Sequence, residues 1–507
     1  MTTTLLILTV SLAILGWGFY RARPFGQLGI LAWLQSVALV APWLLFFGLF
    51  TLGVYLNLAG VLFLNLASIA LYIYLGHRLR TQGRDRPSVR SASGVADHSN
   101  AASDPLLSAN DSAKDPNASE AARLTVAANP PSQPVEAAKI PADDLQAIQT
   151  IFGIDTFFIT DSIPYQDGAI FKGNLRGEVE TTHARLTANL HAKVGDRYRL
   201  FLVKGPDERP VVVTLPSTND PPVTTRSQWG LASVLAVATL ATCLESAGLL
   251  QGFDLFADLN RVQETLPLGL GIVLTLVAHE VGHRVLARRD AIRLSPPFFI
   301  PALQIGSFGS IVRFESLLPN RNVLFDIAVA GPLAGGGIAF AMVILGLLLS
   351  HQGSLFQIPS EFFQGSILVG TLARVVLGNT LQESLVDVHP LVVMGWAGLV
   401  ITAINLMPAG QLDGGRIVQA IYGRKIAGRT TIATLIVLGL ASLVNPLALY
   451  WAVLILFLQR DLERPALNEL SEPDDARAAL GLLVLFLMAA TLLPLTPGLA
   501  GRLGIGG

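Results

Sequence analysis

Two histidines and a glutamate fall within one helical turn in His279-Glu280-Val281-Gly282-His283, inside an otherwise apolar run from Thr275 to Asp290. Side chains four apart on a helix differ by about 40° in azimuth and about 6 Å in height. His279 and His283 therefore leave one face and can reach a single zinc ion through ring nitrogens, as in the H-E-x-x-H pattern. Glu280 lies about 100° round from His279, where its carboxylate meets a metal-activated water without being a ligand. Zinc lowers the pKa of such a water to about 7, and a neighbouring carboxylate can take its proton as it attacks a carbonyl. The competing reading is a helix with a surface glutamate and two unrelated histidines. That reading weakens inside a membrane span, where ionisable groups are costly and nearly always partnered.

Two imidazoles leave such a site one protein ligand short. A candidate lies in INLMPAGQLDGGRIV, Ile404 to Val418, which closes another apolar helix and holds Asn405, Pro408, Asp413, Gly414 and Gly415. Asp413 can complete a His₂-carboxylate site with the fourth position open to water. Its other reading is the N-cap of the helix GGRIVQAIYG. Proline and glycine here turn the backbone inward, which is tolerated at membrane depth only against protein or a cavity.

The surrounding elements are those of a polytopic α-helical membrane protein. Of 507 residues, 51% are hydrophobic and 14% charged. The pattern predicts about 8–10 spans, with a small soluble α+β module inserted after the third. N-terminal membrane helices occupy 1–76, with spans near 4–20, 28–49 and 54–76. A linker, 77–139, is rich in Ser, Ala, Asn, Asp and Pro and cannot bury a core. The module covers 140–216, the membrane core 228–460, and a last membrane helix and tail 461–507. Core spans are expected near 228–250, 267–288, 323–350, 390–408, 430–445, 447–459 and 479–497, with 366–380 interfacial or re-entrant. The stretch PALQIGSFGSI, 301–311, reads either as a re-entrant β hairpin able to pair with an extended substrate or as a plain surface loop.

Arginines after alternate spans, among them Arg284, Arg288, Arg289, Arg416 and Arg424, place the module and the active-site opening on the cytoplasmic side. The net charge of −1 says nothing about nucleic acid, but the sequence holds no basic patch with interleaved aromatics, and no nucleic-acid partner is expected. A single cysteine, Cys243, excludes an internal disulfide and a cysteine-based zinc site. The N-terminus lacks the Arg- and Ser-rich character of a transit peptide, so the expectation is a bacterial source and a retained first span.

The two motifs together resemble those of the site-2 proteases, which are intramembrane zinc metalloproteases. The family pairs HExxH on one membrane helix with N-x-x-P-x-x-x-x-D-G on another, intact here from Asn405 to Gly414. The resemblance implies that His279, His283 and Asp413 bind one zinc ion and that Glu280 is the general base. It also implies that Asn405 helps hold the substrate strand or the developing oxyanion. FDIAVAGPLAGG, Phe325 to Gly336, looks like a further family segment, with small residues that permit close helix packing. KGNLRGE, Lys172 to Glu178, is similar to a hallmark of the plastid and cyanobacterial branch typified by ethylene-dependent gravitropism-deficient and yellow-green proteins.

The likeness covers roughly 140–460 and includes no PDZ insertion between the motifs. It implies an endopeptidase cutting membrane-protein substrates in or beside their transmembrane segments, in a cyanobacterial plasma or thylakoid membrane. Two rivals are a divalent-ion transporter, which needs a polar path and an inverted repeat, and a non-proteolytic scaffold, which would have lost its motif. Arg176 and Glu178 read either as a functional surface or as a turn with a structural ion pair. His183 and His191 read as a solvated helix face.

Overall fold

In the computed structural model the described residues are 140–505, apart from Gln166, Pro206, Val444 and Arg460, together with most of 15–51 and a few positions in 68–78. The spans expected near 4–20 and 54–76 and the linker 77–139 lie largely outside them. The chain divides into two units, Met1–Lys114 and Asp115–Gly507. In the first, helix α1 runs over Gly26–Thr51.

The second unit begins with α2 (Ala142–Gln149), β1 (Phe157–Tyr165), β2 (Gly168–Leu175), α3 (Val179–Val194), β3 (Tyr198–Lys204) and β4 (Pro210–Pro216). The four strands form an antiparallel sheet in the order β1-β2-β4-β3. In β3 alternate residues Tyr198, Leu200 and Leu202 are buried, the period expected of a strand with one covered face. Helix α3 buries Thr182, Leu186, Leu190 and Val194, all four apart, and lays that stripe on Phe157, Phe171 and Leu202.

The hallmark motif resolves differently from an ion-paired turn. Glu178 is the N-cap of α3, its carboxylate accepting from the backbone N–H groups of Glu180 (3.1 Å) and Thr181 (2.8 Å). Among the described residues no ion pair joins it to Arg176. His183 also departs from the solvated reading. It is half-buried beside the Leu200 and Leu467 backbone, and that burial pulls its pKa below the ordinary histidine value. His191 is exposed, as expected, 3.6 Å from Asp196.

The rest of the unit comprises α4 (Arg226–Leu250), α5 (Val262–Arg289), β5 (Phe298–Ala302), β6 (Gly306–Ile311), α6 (Arg321–Leu349), β7 (Phe356–Pro359), α7 (Ile367–Leu377), β8 (Leu385–Val388), α8 (Pro390–Asn405), α9 (Asp413–Ala441), α10 (Pro446–Leu454), α11 (Asp475–Leu492) and α12 (Pro497–Leu503). Among the described residues four helices are long and apolar enough to cross a membrane: α4, α5 with its leading turn (Leu259–Arg289), α6 and α11. The chain is thus a multi-pass membrane protein with a small α+β region before these spans. The expected count of about 8–10 is not met among these residues. Helix α8 has only 16 residues, and α9 is broken at Gly423, where φ is 79°.

Small residues bring α6 onto α5. A Cβ on Gly335 would stand 2.8 Å from the Cβ of His279, and one on Gly331 would run into the His283 ring. Of the two readings of 301–311, hairpin or surface loop, strands β5 and β6 form the antiparallel hairpin, starting at Phe298 rather than at 301. After α10 a π-helical turn, Ile455–Gln459, leads into an extended strap that covers the β3 edge of the module. Leu202 N–H donates to Leu467 O (2.7 Å) and Glu469 N–H to Leu202 O (2.9 Å), while Leu467 and Asn468 donate to Leu318 O and Pro319 O (2.8 and 2.9 Å).

Candidate metal centre

Helix α5 projects His279 and His283 from one face, as the four-residue spacing requires. Asp413 reaches them from the first residue of α9. It does not close α8, which ends at Asn405, and it is not an N-cap: Leu412 holds that position and no side chain caps the helix. Residues 406–412 form a tight turn, pinned by Gly410 N–H on Thr431 Oγ1 (2.9 Å) and Gln411 N–H on Gln459 O (3.0 Å). Gly414 and Gly415 pack directly on that turn, where a Cβ would collide with the backbone carbonyls of Leu406 and Ala409. The turn delivers the carboxylate to the histidines, and the start of α9 favours its negative charge.

Asp413 Oδ2 lies 3.1 Å from His279 Nε2 and 3.4 Å from His283 Nε2, and the two Nε2 atoms are 3.1 Å apart. His283 Nδ1 is 2.7 Å from Ile327 O. A carbonyl only accepts, so Nδ1–H donates and Nε2 keeps its lone pair. The His283 lone pair, the His279 ring nitrogen and the Asp413 carboxylate thus face one point, where all three would hold a cation. With metal–ligand bonds of about 2.0–2.1 Å, the edges of a tetrahedral site are about 3.4 Å. The donor set and its spacing therefore fit zinc. His283, Asp413 and Glu280 are all buried, at 4%, 6% and 6% exposure.

Glu280 is held from two sides. Its Oε2 accepts from Arg284 Nη1 at 2.6 Å, and its Oε1 accepts from the Ser310 hydroxyl of β6. Arg284 also donates to Ser295 O at 3.2 Å, so the guanidinium ties the carboxylate to the segment entering the hairpin. Asn405 is buried at the end of α8, with Nδ2 donating to Phe308 O (3.2 Å) and Ile401 O (2.8 Å). Both amide hydrogens thus hold hairpin and helix backbone. Next to Asp413, Arg416 donates to Val312 O (2.7 Å), pairs with buried Glu463 at 3.0 Å and stacks over Phe314.

The five site residues inferred from sequence, His279, Glu280, His283, Asn405 and Asp413, line two adjoining cavities, with Glu280, Ser310 and Asn405 between them. Sequence reasoning missed Arg284, Ser310, Arg416, Glu463 and the Ile327 carbonyl. Arg284 had a local signal, four residues after Glu280 on one helix face. Ser310 and Glu463 had none. Arg284 and Arg416, two of the arginines used to orient the spans, are ion-paired to Glu280 and Glu463.

Comparison with known proteins places two regions of the chain in known families. Residues 146–221 match the EGY3 middle domain, and residues 268–445 match peptidase family M50. The chain is 38% identical over 372 residues to the probable zinc metalloprotease EGY2, chloroplastic, of Arabidopsis thaliana, covering 72% of this chain and 67% of the relative. It is 37% identical over 403 residues to the probable zinc metalloprotease EGY1, chloroplastic, of the same plant, covering 72% and 74%. The Arabidopsis probable zinc metallopeptidase EGY3, chloroplastic, is 33% identical over 383 residues, covering 70% and 66%. No solved structure matches. With both motifs in place and both regions matched, the chain belongs to peptidase family M50, the site-2 protease family, as an EGY-like zinc metalloprotease.

Proposed function

We propose that the protein is an intramembrane endopeptidase, hydrolysing peptide bonds in or beside the transmembrane segments of membrane-protein substrates. The observation that carries this reading is the convergence of Asp413 with His279 and His283 on α5, an apolar helix long enough to span a bilayer. These three residues hold one zinc ion per chain. When bound, zinc supplies Lewis acidity toward water and the scissile carbonyl. Glu280 takes the proton of the attacking water and returns it to the leaving amine. Arg284 and Ser310 keep the carboxylate aimed while it does so. Asn405 fixes β6 through Phe308 O, so the hairpin presents a stable edge beside the base. A substrate helix must unwind first, because its carbonyls are tied up in hydrogen bonds, and the hairpin offers the unwound segment a backbone to pair with.

Arg288 and Arg289 at the end of α5, with Arg424 and Lys425 within α9, favour an opening and a module on the cytoplasmic side of a plasma or thylakoid membrane. Glu280→Gln removes the base but none of the three metal-binding side chains. It is expected to lower cleavage of a model single-span substrate by about 10²–10⁴-fold with zinc content unchanged. Equal cleavage by the Gln variant would sink the reading.

A further inference from the structure

One cavity beside the site is walled by Glu280, Asn405, Asp413, Arg416, Gln411 and Gln459. Four of these have their polar groups committed. Glu280 is held by Arg284 and Ser310, Asp413 faces the histidines, Arg416 is bound to Val312 O and Glu463, and Asn405 Nδ2 is bound to two carbonyls. Gln459 is different. Its residue is 3% exposed, yet its Oε1 has no hydrogen-bond partner. A buried acceptor left unpaired is costly and calls for a reason.

Its backbone position is well determined. Gln459 ends the π-helical turn Ile455–Gln459, a wide turn that recurs at functional sites. Its carbonyl accepts from Gln411 N–H at 3.0 Å, two residues before Asp413. The residue is thus anchored to the turn that delivers the Asp413 carboxylate, and it lines the cavity shared with Glu280.

We infer that Gln459 binds the substrate backbone: its side-chain oxygen accepts a hydrogen bond from a main-chain N–H of the extended segment beside the scissile bond. This rests on the protease reading above. A peptide unwound at membrane depth leaves N–H groups with no water to take them. An amide acceptor meets that need whatever the substrate side chain.

The test uses the full chain, zinc-loaded, with a model single-span peptide in detergent micelles. Gln459→Met keeps length and volume but removes the acceptor. It is expected to raise KM about three- to tenfold, the effect of one hydrogen bond, with kcat little changed and one zinc per chain retained. A series of peptides, each with one backbone N–H near the cut replaced by an ester oxygen, locates the contact. One such replacement should lower kcat/KM in the native protein by a similar factor and cost nothing in Gln459→Met. The same peptides are then bound, without turnover, to Glu280→Gln and to Glu280→Gln/Gln459→Met, so the contact is read even if cleavage fails. An ester cost that is equal in both proteins at every position overturns the inference, as does loss of zinc from Gln459→Met.

Discussion

In the module, Leu186 and Leu190 of α3 pack on Phe157, Phe171 and Leu202, and the ion pair Arg185–Asp155 stands outside with side chains 62% and 69% exposed. In the membrane core the pattern inverts. Arg416 and Glu463 are paired with side chains 6% and 9% exposed, beside an Asp413 that is itself buried. The module hides apolar groups from water and leaves most of its charges in it, the exception being Asp144, buried beside Arg197. The core faces an apolar exterior, so hiding apolar groups brings little order, and its interior is organised by polar groups that need one another. An exposed pair such as Arg185–Asp155 contributes about 0–1 kcal/mol. Breaking a buried pair by removing one partner costs far more, because the other charge is left uncompensated.

This contrast can be broken most directly at the metal. Asp413→Ala should reduce bound zinc to below about a tenth per chain, since two imidazoles are too few to hold it. Metal analysis of the purified protein reads this, and cleavage should vanish with the zinc. If zinc stays at one per chain, the core is not organised around these three residues. Gly331→Ala is milder. The added methyl meets the His283 ring and pushes α6, which carries the Ile327 carbonyl, away from α5. A loss of about 10–100-fold in zinc affinity is expected, the usual effect of disturbing a ligand's orienting partner, measured by competition with a chelator.

The module should fail in another way. Leu186 is fully buried, and Leu186→Ala should cost about 2–5 kcal/mol of module stability with zinc content unaltered. Hydrogen exchange across 157–204 paired with metal analysis would show the two regions separating or moving together. The smallest effect concerns Glu178. The backbone N–H groups of Thr181 and Glu180 hold its carboxyl below the ordinary glutamate pKa. Its capping contribution is therefore complete above the ordinary value and is lost as pH falls through the lowered one. Glu178→Ala should abolish that acid-side step in the exchange of the first turn of α3, and an unchanged step would remove the cap from the account.

The module was readable from sequence because period-2 and four-residue patterns report a face turned away from water. The strands around Phe171 and Leu200 and the stripe of α3 follow from such patterns. The cap at Glu178 was in neither reading of Arg176 and Glu178, functional surface or ion-paired turn, because the acceptor geometry depends on where the helix starts. In the core the same patterns fade, since lipid-facing and protein-facing residues are both apolar. That is why the span expected at 390–408 runs past the end of α8 at Asn405, although proline and glycine had marked an inward turn there.

The order of residues by itself determined that His279 and His283 share a helix face with Glu280 beside them, because a four-residue step on a helix permits little else. It also determined that glycines precede and follow the places where chains must touch. Only the tertiary structure decided that Asp413 opens a new helix and meets both rings, that Ser310 and Arg284 aim the glutamate, and that Gln459 comes to the cavity wall. Those contacts join residues 30 to more than 100 positions apart, apart from the one local pair at Arg284, and nothing in local spacing sets such distances. They follow from packing small residues against large ones and from the need of every buried charge for a partner.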